Sequence, residues 1–236
     1  MSQAHSTASA GIPRPRSAGR GGDIALIAVF AAMLAAFAMM PPVPVPVGPA
    51  GVPITLQTFA IALCGMVLGP WRGAAATLLY VVLGLLGLPI FSGMSGGIGV
   101  LAGPSAGYIL SFTLYALAAG LVARWAVRRF HGMRLGLALF VGGFGGSLLL
   151  NHPLGILGMS INADLPLSVA TVADLAYWPG DIIKNILAAS VAVLIHRAFP
   201  DVLRRRGRAV ASAVGAGDAG APAAAGAGES REPGRK

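Results

Sequence analysis

Tyr177-Trp178-Pro179-Gly180-Asp181-Ile182-Ile183-Lys184-Asn185 opens an apolar run that continues without a helix breaker through Ile195. Pro179 suits the first turn of a helix, where its missing N–H costs nothing. Asp181 and Lys184, three residues apart, then stand one above the other on a single helix face. An ionisable group inside a membrane helix costs a few kcal/mol, and such groups usually face a cavity or the bundle interior. If the run crosses a bilayer, the pair marks a functional site. The plainer alternative is a structural pair whose charges neutralise each other.

Composition decides the medium. Of 236 residues, 56% are hydrophobic and 11% charged, against about 25% charged in a soluble domain, and the mean hydropathy is +0.76. The apolar stretches are rich in Leu, Ala, Val and Gly and do not alternate, which points to helices rather than to barrel strands. The predicted fold is an all-α integral membrane protein with six transmembrane helices, at about 24–40, 55–68, 74–88, 105–123, 135–157 and 179–195. The first run follows no short apolar core with a small-residue cleavage site, so it reads as a retained helix rather than a signal peptide. Residues 1–22 and 199–236 read as disordered cytoplasmic tails around a membrane domain at 23–198. Cys64, the one cysteine, reads as a small buried hydrophobe.

Between the runs, the alternating prolines of 41–49 predict a stiff, uncharged loop. Gly69 to Gly73 reads as a tight connection, with Trp71 and Arg72 at a membrane interface. The stretch 89–104 is glycine-dense and too irregular for a helix, and 158–178 is a mixed connection whose part from 167 to 176 can form a short interfacial helix. In the first run Ala28, Ala32 and Ala36 form a smooth ridge that lets another helix approach, within the bundle or from outside it.

The basic residues fix the topology. All seventeen Lys and Arg residues except Lys184 fall in the two tails, at Arg197 just before the second tail, in the 69–73 turn or in the 124–134 connector. In a six-span protein these segments lie on one side, which the positive-inside rule makes cytoplasmic. The net charge of +9 therefore meets anionic lipid and cytoplasmic partners, and nucleic acid is not an expected one. Lys184 stands about one turn from the outer end of the last helix, where every other base is missing. An anionic group arriving from outside explains it.

The outer loops and the start of the last helix converge on this topology. Lys184 supplies a positive charge and three donors, and ionised Asp181 accepts hydrogen bonds. Gly93, Ser95 and Gly97 offer backbone groups to a ligand, Tyr108 or Trp178 can cover an apolar ring, and Thr55, Gln57 and Asn151 complete the candidate binding set. Asn151 and His152 also read as satisfied polar residues of a helical bundle. No catalytic set stands out. The four histidines lack metal-ligand spacing, and there is no phosphate-binding Gly-Lys-Ser/Thr loop, so neither an enzyme nor a cofactor is expected.

Three motifs in order carry a resemblance: Val52 to Phe59, Gly87 to Tyr108 with its Gly96-Gly97-Ile98-Gly99 core, and Pro179-Gly180-Asp181 with Lys184. They resemble the BioY family, the biotin-specific substrate-binding subunits (S components) of energy-coupling factor transporters, over residues 24 to about 198. The resemblance implies a six-helix subunit of the bacterial cytoplasmic membrane. Such a subunit binds biotin from outside and works with a transmembrane coupling protein and a pair of ATPases, although some members are thought to act without them. It also implies that Asp181 and Lys184 hold substrate, that residues 92–103 are the binding loop, and that the ridge at Ala28, Ala32 and Ala36 docks on the coupling protein. Biotin suits the residues, with N–H groups for a carboxylate, a carboxylate for a cation, and an apolar ring and chain. The alternatives are a subunit for another vitamin, such as thiamine or riboflavin, and a small membrane protein that does not transport.

Overall fold

A computed structural model describes residues 20–43, 52–200 and 202–203. The expected tails, apart from their innermost residues, and most of the proline loop lie outside the described residues. Within them the chain is helical: α1 (Arg20–Ala38), α2 (Gln57–Leu68), α3 (Pro70–Leu85), α4 (Ala106–Arg129), α5 (Gly132–Gly146), α6 (His152–Asn162), α7 (Leu167–Leu175) and α8 (Trp178–Ala198). The described residues contain no strand, only isolated bridges between Val43 and Ile54 and between Phe91 and Ser95.

Among the described residues, four apolar helical stretches are long enough to cross a membrane: 21–38, α4, the continuous stretch 132–162, and α8. The other two expected runs form shorter apolar helices, α2 of 12 residues and α3 of 16. Ten residues of α2 are buried, so protein rather than lipid surrounds it. Lipid gives no hydrophobic drive between helices, and close backbone approach does that work instead. Gly65 of α2 lies against the Ala116 carbonyl of α4, and Gly107 of α4 lies against the Leu154 carbonyl of α6. A side chain at either glycine would overlap the facing backbone.

Several boundaries differ from the sequence reading. The expected turn at 69–73 shrinks to Gly69, whose φ of 81° no other residue adopts easily, and α3 starts at once on Pro70. α4 runs on to Arg129, so Arg124, Arg128 and Arg129 lie in a helix rather than in a connector. The fifth run spans 31 residues, and Ser147–Asn151 forms one π-helical turn inside it. The backbone N–H of His152 bonds the Ser147 carbonyl. Pro153 has no N–H to give, and the wider turn absorbs the mismatch. In the 158–178 connection the end of α6 was not expected, whereas α7 stands where the short helix at 167–176 was expected. The glycine-rich stretch forms two short 3-10 turns, Ser92–Met94 and Ile98–Ala102.

Candidate ligand-binding site

A cavity of about 150 Å³ lies between the start of α8, the first turns of α2 and α4, the π-turn and the glycine-rich loop. One water needs roughly 10–15 Å³, so the cavity takes a small organic molecule. Its apolar wall includes Val52, Ile54, Phe91, Val100, Ile109 and Phe112, and its polar end holds Asp181, Lys184, Asn151 and His152.

Asp181 and Lys184 are 3% and 8% exposed, and their charges meet at 3.0 Å. The pairing foreseen as the plainer alternative is therefore real, yet both side chains also line the cavity. Thr58 of α2 ties the pair down. Its hydroxyl donates to Asp181 Oδ1 at 3.0 Å and accepts from Lys184 Nζ at 3.2 Å. One ammonium proton is left over, since Nζ carries three and reaches two partners. Asn185 bonds the Asp181 carbonyl through Nδ2, and Tyr115 donates to Asn185 Oδ1. The acid is thereby anchored to α2 and α4 as well as to its own helix.

Behind this pair lies a second acid. Asp174 of α7 is 1% exposed and takes Tyr108 Oη–H at 2.6 Å, Trp178 Nε1–H at 3.0 Å and His152 Nδ1 at 2.8 Å. The ring of Tyr108 rests on Gly155 of α6, where a Cβ would overlap it.

Of the predicted residues, Asp181, Lys184, Tyr108, Ser95, Gln57, Thr55 and Asn151 come together on the cavity wall. Asn151 accepts from Ser111 at 2.8 Å. Gln57 accepts from Thr55 and donates to Tyr80, whose hydroxyl reaches the Ile90 carbonyl at 3.0 Å and so holds the loop in place. Gly93 and Gly97 do not line the cavity. Their φ values of 69° and 88° show why glycine is used there, which is to turn the loop. Trp178 bonds Asp174 instead of covering the cavity, whereas Tyr177 does line it, and the Tyr177 phenol oxygen accepts from Val52 N–H at 3.0 Å. Burial raises the Tyr177 phenol above its ordinary range.

Sequence reasoning missed Thr58 and Asp174. Thr58 sits one turn from Thr55 on the opening of α2, a spacing that could have signalled it. Asp174 gave no signal, because its partners are 4, 22 and 66 residues away. Among the described residues no group of three or more His, Cys, Asp or Glu side chains is arranged to hold a metal ion.

Fold and site together define a helical membrane protein with an internal cavity that has an apolar wall and a polar end. The sequence profile of the BioY family matches residues 12–201, and the chain belongs to that family. Among similar proteins, a biotin transporter BioY of Rhodobacter capsulatus is 37% identical over 194 residues, covering 78% of this chain and 98% of the relative. One of Rhizobium etli is 32% identical, covering 75% and 95%. Among solved structures, the S-component for biotin from an ECF-type ABC transporter superposes with a TM-score of 0.71 at 23% identity, over 78% of this chain and 95% of that one. The S-component fold is therefore shared.

Proposed function

We propose that this chain is the biotin-binding subunit of a vitamin-uptake transporter of the bacterial cytoplasmic membrane. It captures biotin at the outer face and delivers it inward with a transmembrane coupling protein and ATPases. The observation that carries the reading is the Asp181–Lys184 pair, buried yet lining a mostly apolar chamber, in a member of a family whose relatives are biotin transporters.

The six-span arrangement with both termini in the cytoplasm rests on charge and distance. Tyr108 lines the chamber and Arg128 stands twenty residues further along α4, about 30 Å at 1.5 Å per residue, which matches the hydrocarbon thickness. Exposed Arg124, Arg128 and Arg129, with Trp71 and Trp125 beside them, suit a cytoplasmic interface with anionic lipid. Ala28, Ala32 and Ala36 are exposed along α1 while Ala31 is buried, so the ridge faces away from the bundle and suits docking on the coupling protein. Gly93 and Gly97 serve the site by shaping the loop.

Labelled biotin bound to the purified protein should be displaced by unlabelled biotin and not by thiamine or riboflavin. Displacement by either of those two moves the reading to another vitamin, and uptake by cells with and without the ATPase module tests delivery.

A further inference from the structure

Three arginines at the end of α4 remote from the chamber have no acid to meet. Arg124, Arg128 and Arg129 are exposed, and among the described residues none of them has a carboxylate within ion-pair distance. The described acid at this pole, Asp23, is already taken by Arg72 at 3.2 Å. With Leu121 and Trp125 of α4 and Trp71 of α3, the three arginines line a groove of about 460 Å³. Arg124 and Arg128 stand four residues apart on one face, where like charges disfavour a helix. The helix dipole favours bases in the last turn, which accounts for Arg128 and Arg129 but not for Arg124, nor for the two indoles beside them.

An apolar row leads into the groove. Leu110, Leu114 and Leu121 are exposed along α4 at i, i+4 and i+11, and Arg128, at i+18, falls about five turns from Leu110 on the same face. Leucines that run into unpaired guanidinium groups match an amphiphile with an acyl chain along the helix and a phosphate at its end. Arginine suits that phosphate, because its fork of N–H donors binds two oxygens at once. Tryptophan favours the headgroup level of a membrane, and the ring of Trp125 is held edge-on to Phe130 with centroids 5.2 Å apart. A soluble anion would leave the leucine row without a partner.

We propose that this groove binds one anionic phospholipid, with its phosphate on Arg124 and Arg128, Arg129 and the indoles around the headgroup, and an acyl chain along Leu121, Leu114 and Leu110. A general attraction of the basic pole for an anionic surface needs no such fixed site. The proposal rests on that pole lying at the membrane interface, whichever ligand the chamber takes.

The test uses the full-length protein, stripped of lipid in a neutral detergent. Phosphatidylglycerol is the anionic probe, phosphatidylcholine the zwitterionic one and inorganic phosphate the free anion. Native mass spectrometry is expected to show one phosphatidylglycerol retained per chain, with a melting temperature that rises to saturation, and neither effect from the other two. The double variant of Arg124→Gln and Arg128→Gln binds the lipid about tenfold more weakly. Arg134→Gln removes an exposed base at the same pole but outside the groove, and it keeps the lipid. Biotin binding without lipid is equal in all of them, since chamber and groove share no residue. Lipid binding that does not saturate, equal weakening in Arg134→Gln, or an equal effect of inorganic phosphate overturns the inference. So does a double variant that keeps the lipid, and if it also fails to copurify with the coupling protein the groove belongs to that partner. A wild type that holds phosphatidylglycerol but no biotin overturns the proposed function alone, which separates the two failures.

Discussion

Removing one member of the Asp181–Lys184 pair leaves the other as a buried charge without its partner, and such a loss costs about 3–5 kcal/mol where no relaxation offsets it. Asp181→Asn and Lys184→Met are therefore both expected to lower the thermal stability of the ligand-free protein, and the double variant less than the sum of the two. Melting curves of the three variants check this; strictly additive losses would mean that the pair contributes nothing jointly. Thr58→Val keeps the shape and removes the hydroxyl shared by both charges. It should weaken ligand binding by about 0.5–1.5 kcal/mol with little change in melting temperature, as read by calorimetry. At this scale the sequence was informative where a residue contradicted its surroundings. An acid and a base in an apolar run cannot be placed cheaply, so Asp181 and Lys184 stood out. His152 and Asp174 did not, because each taken alone reads as an ordinary polar residue. Their meaning comes from a contact between α6 and α7, 22 residues apart.

Helix contacts carry the site from behind. The π-turn at Ser147–Asn151 swings Asn151 and His152 towards the chamber, and the crossing at Gly107 sets how near α6 comes to α4. Gly107→Ala forces the Leu154 backbone to move, and overpacking of this kind typically costs about 1–3 kcal/mol. The variant should lose both stability and ligand affinity. Unchanged melting and unchanged binding would show that the crossing does not position the polar end. Hydrophobic runs and breakers located the long helices but not their ends. Pro153 falls inside the expected 135–157 run, where a wider turn absorbs it, and Gly69 alone separates α2 from α3 where five residues were expected. Such boundaries depend on what the neighbouring helices can satisfy, and a single sequence does not display that.

Across the whole molecule, the chamber and the arginine-bearing helix ends lie at opposite poles, which is the arrangement needed to take a ligand from one side of a membrane and engage a partner on the other. Ala32→Leu on the exposed α1 ridge should leave biotin binding intact while reducing uptake in cells that also make the coupling module. Full uptake in that variant would remove the ridge as a docking surface. The medium and the helical class were legible because charge and hydropathy are properties of the chain itself. How the chamber closes was not, since Tyr80, Gln57 and the Ile90 carbonyl meet only after folding. The most direct measurement is a calorimetric titration of biotin into the purified wild type, Asp181→Asn and Lys184→Met. Saturation at one biotin per wild-type chain, with affinity at least tenfold weaker in both variants, is the predicted result. No binding by the wild type, or equal affinity in all three, would contradict it.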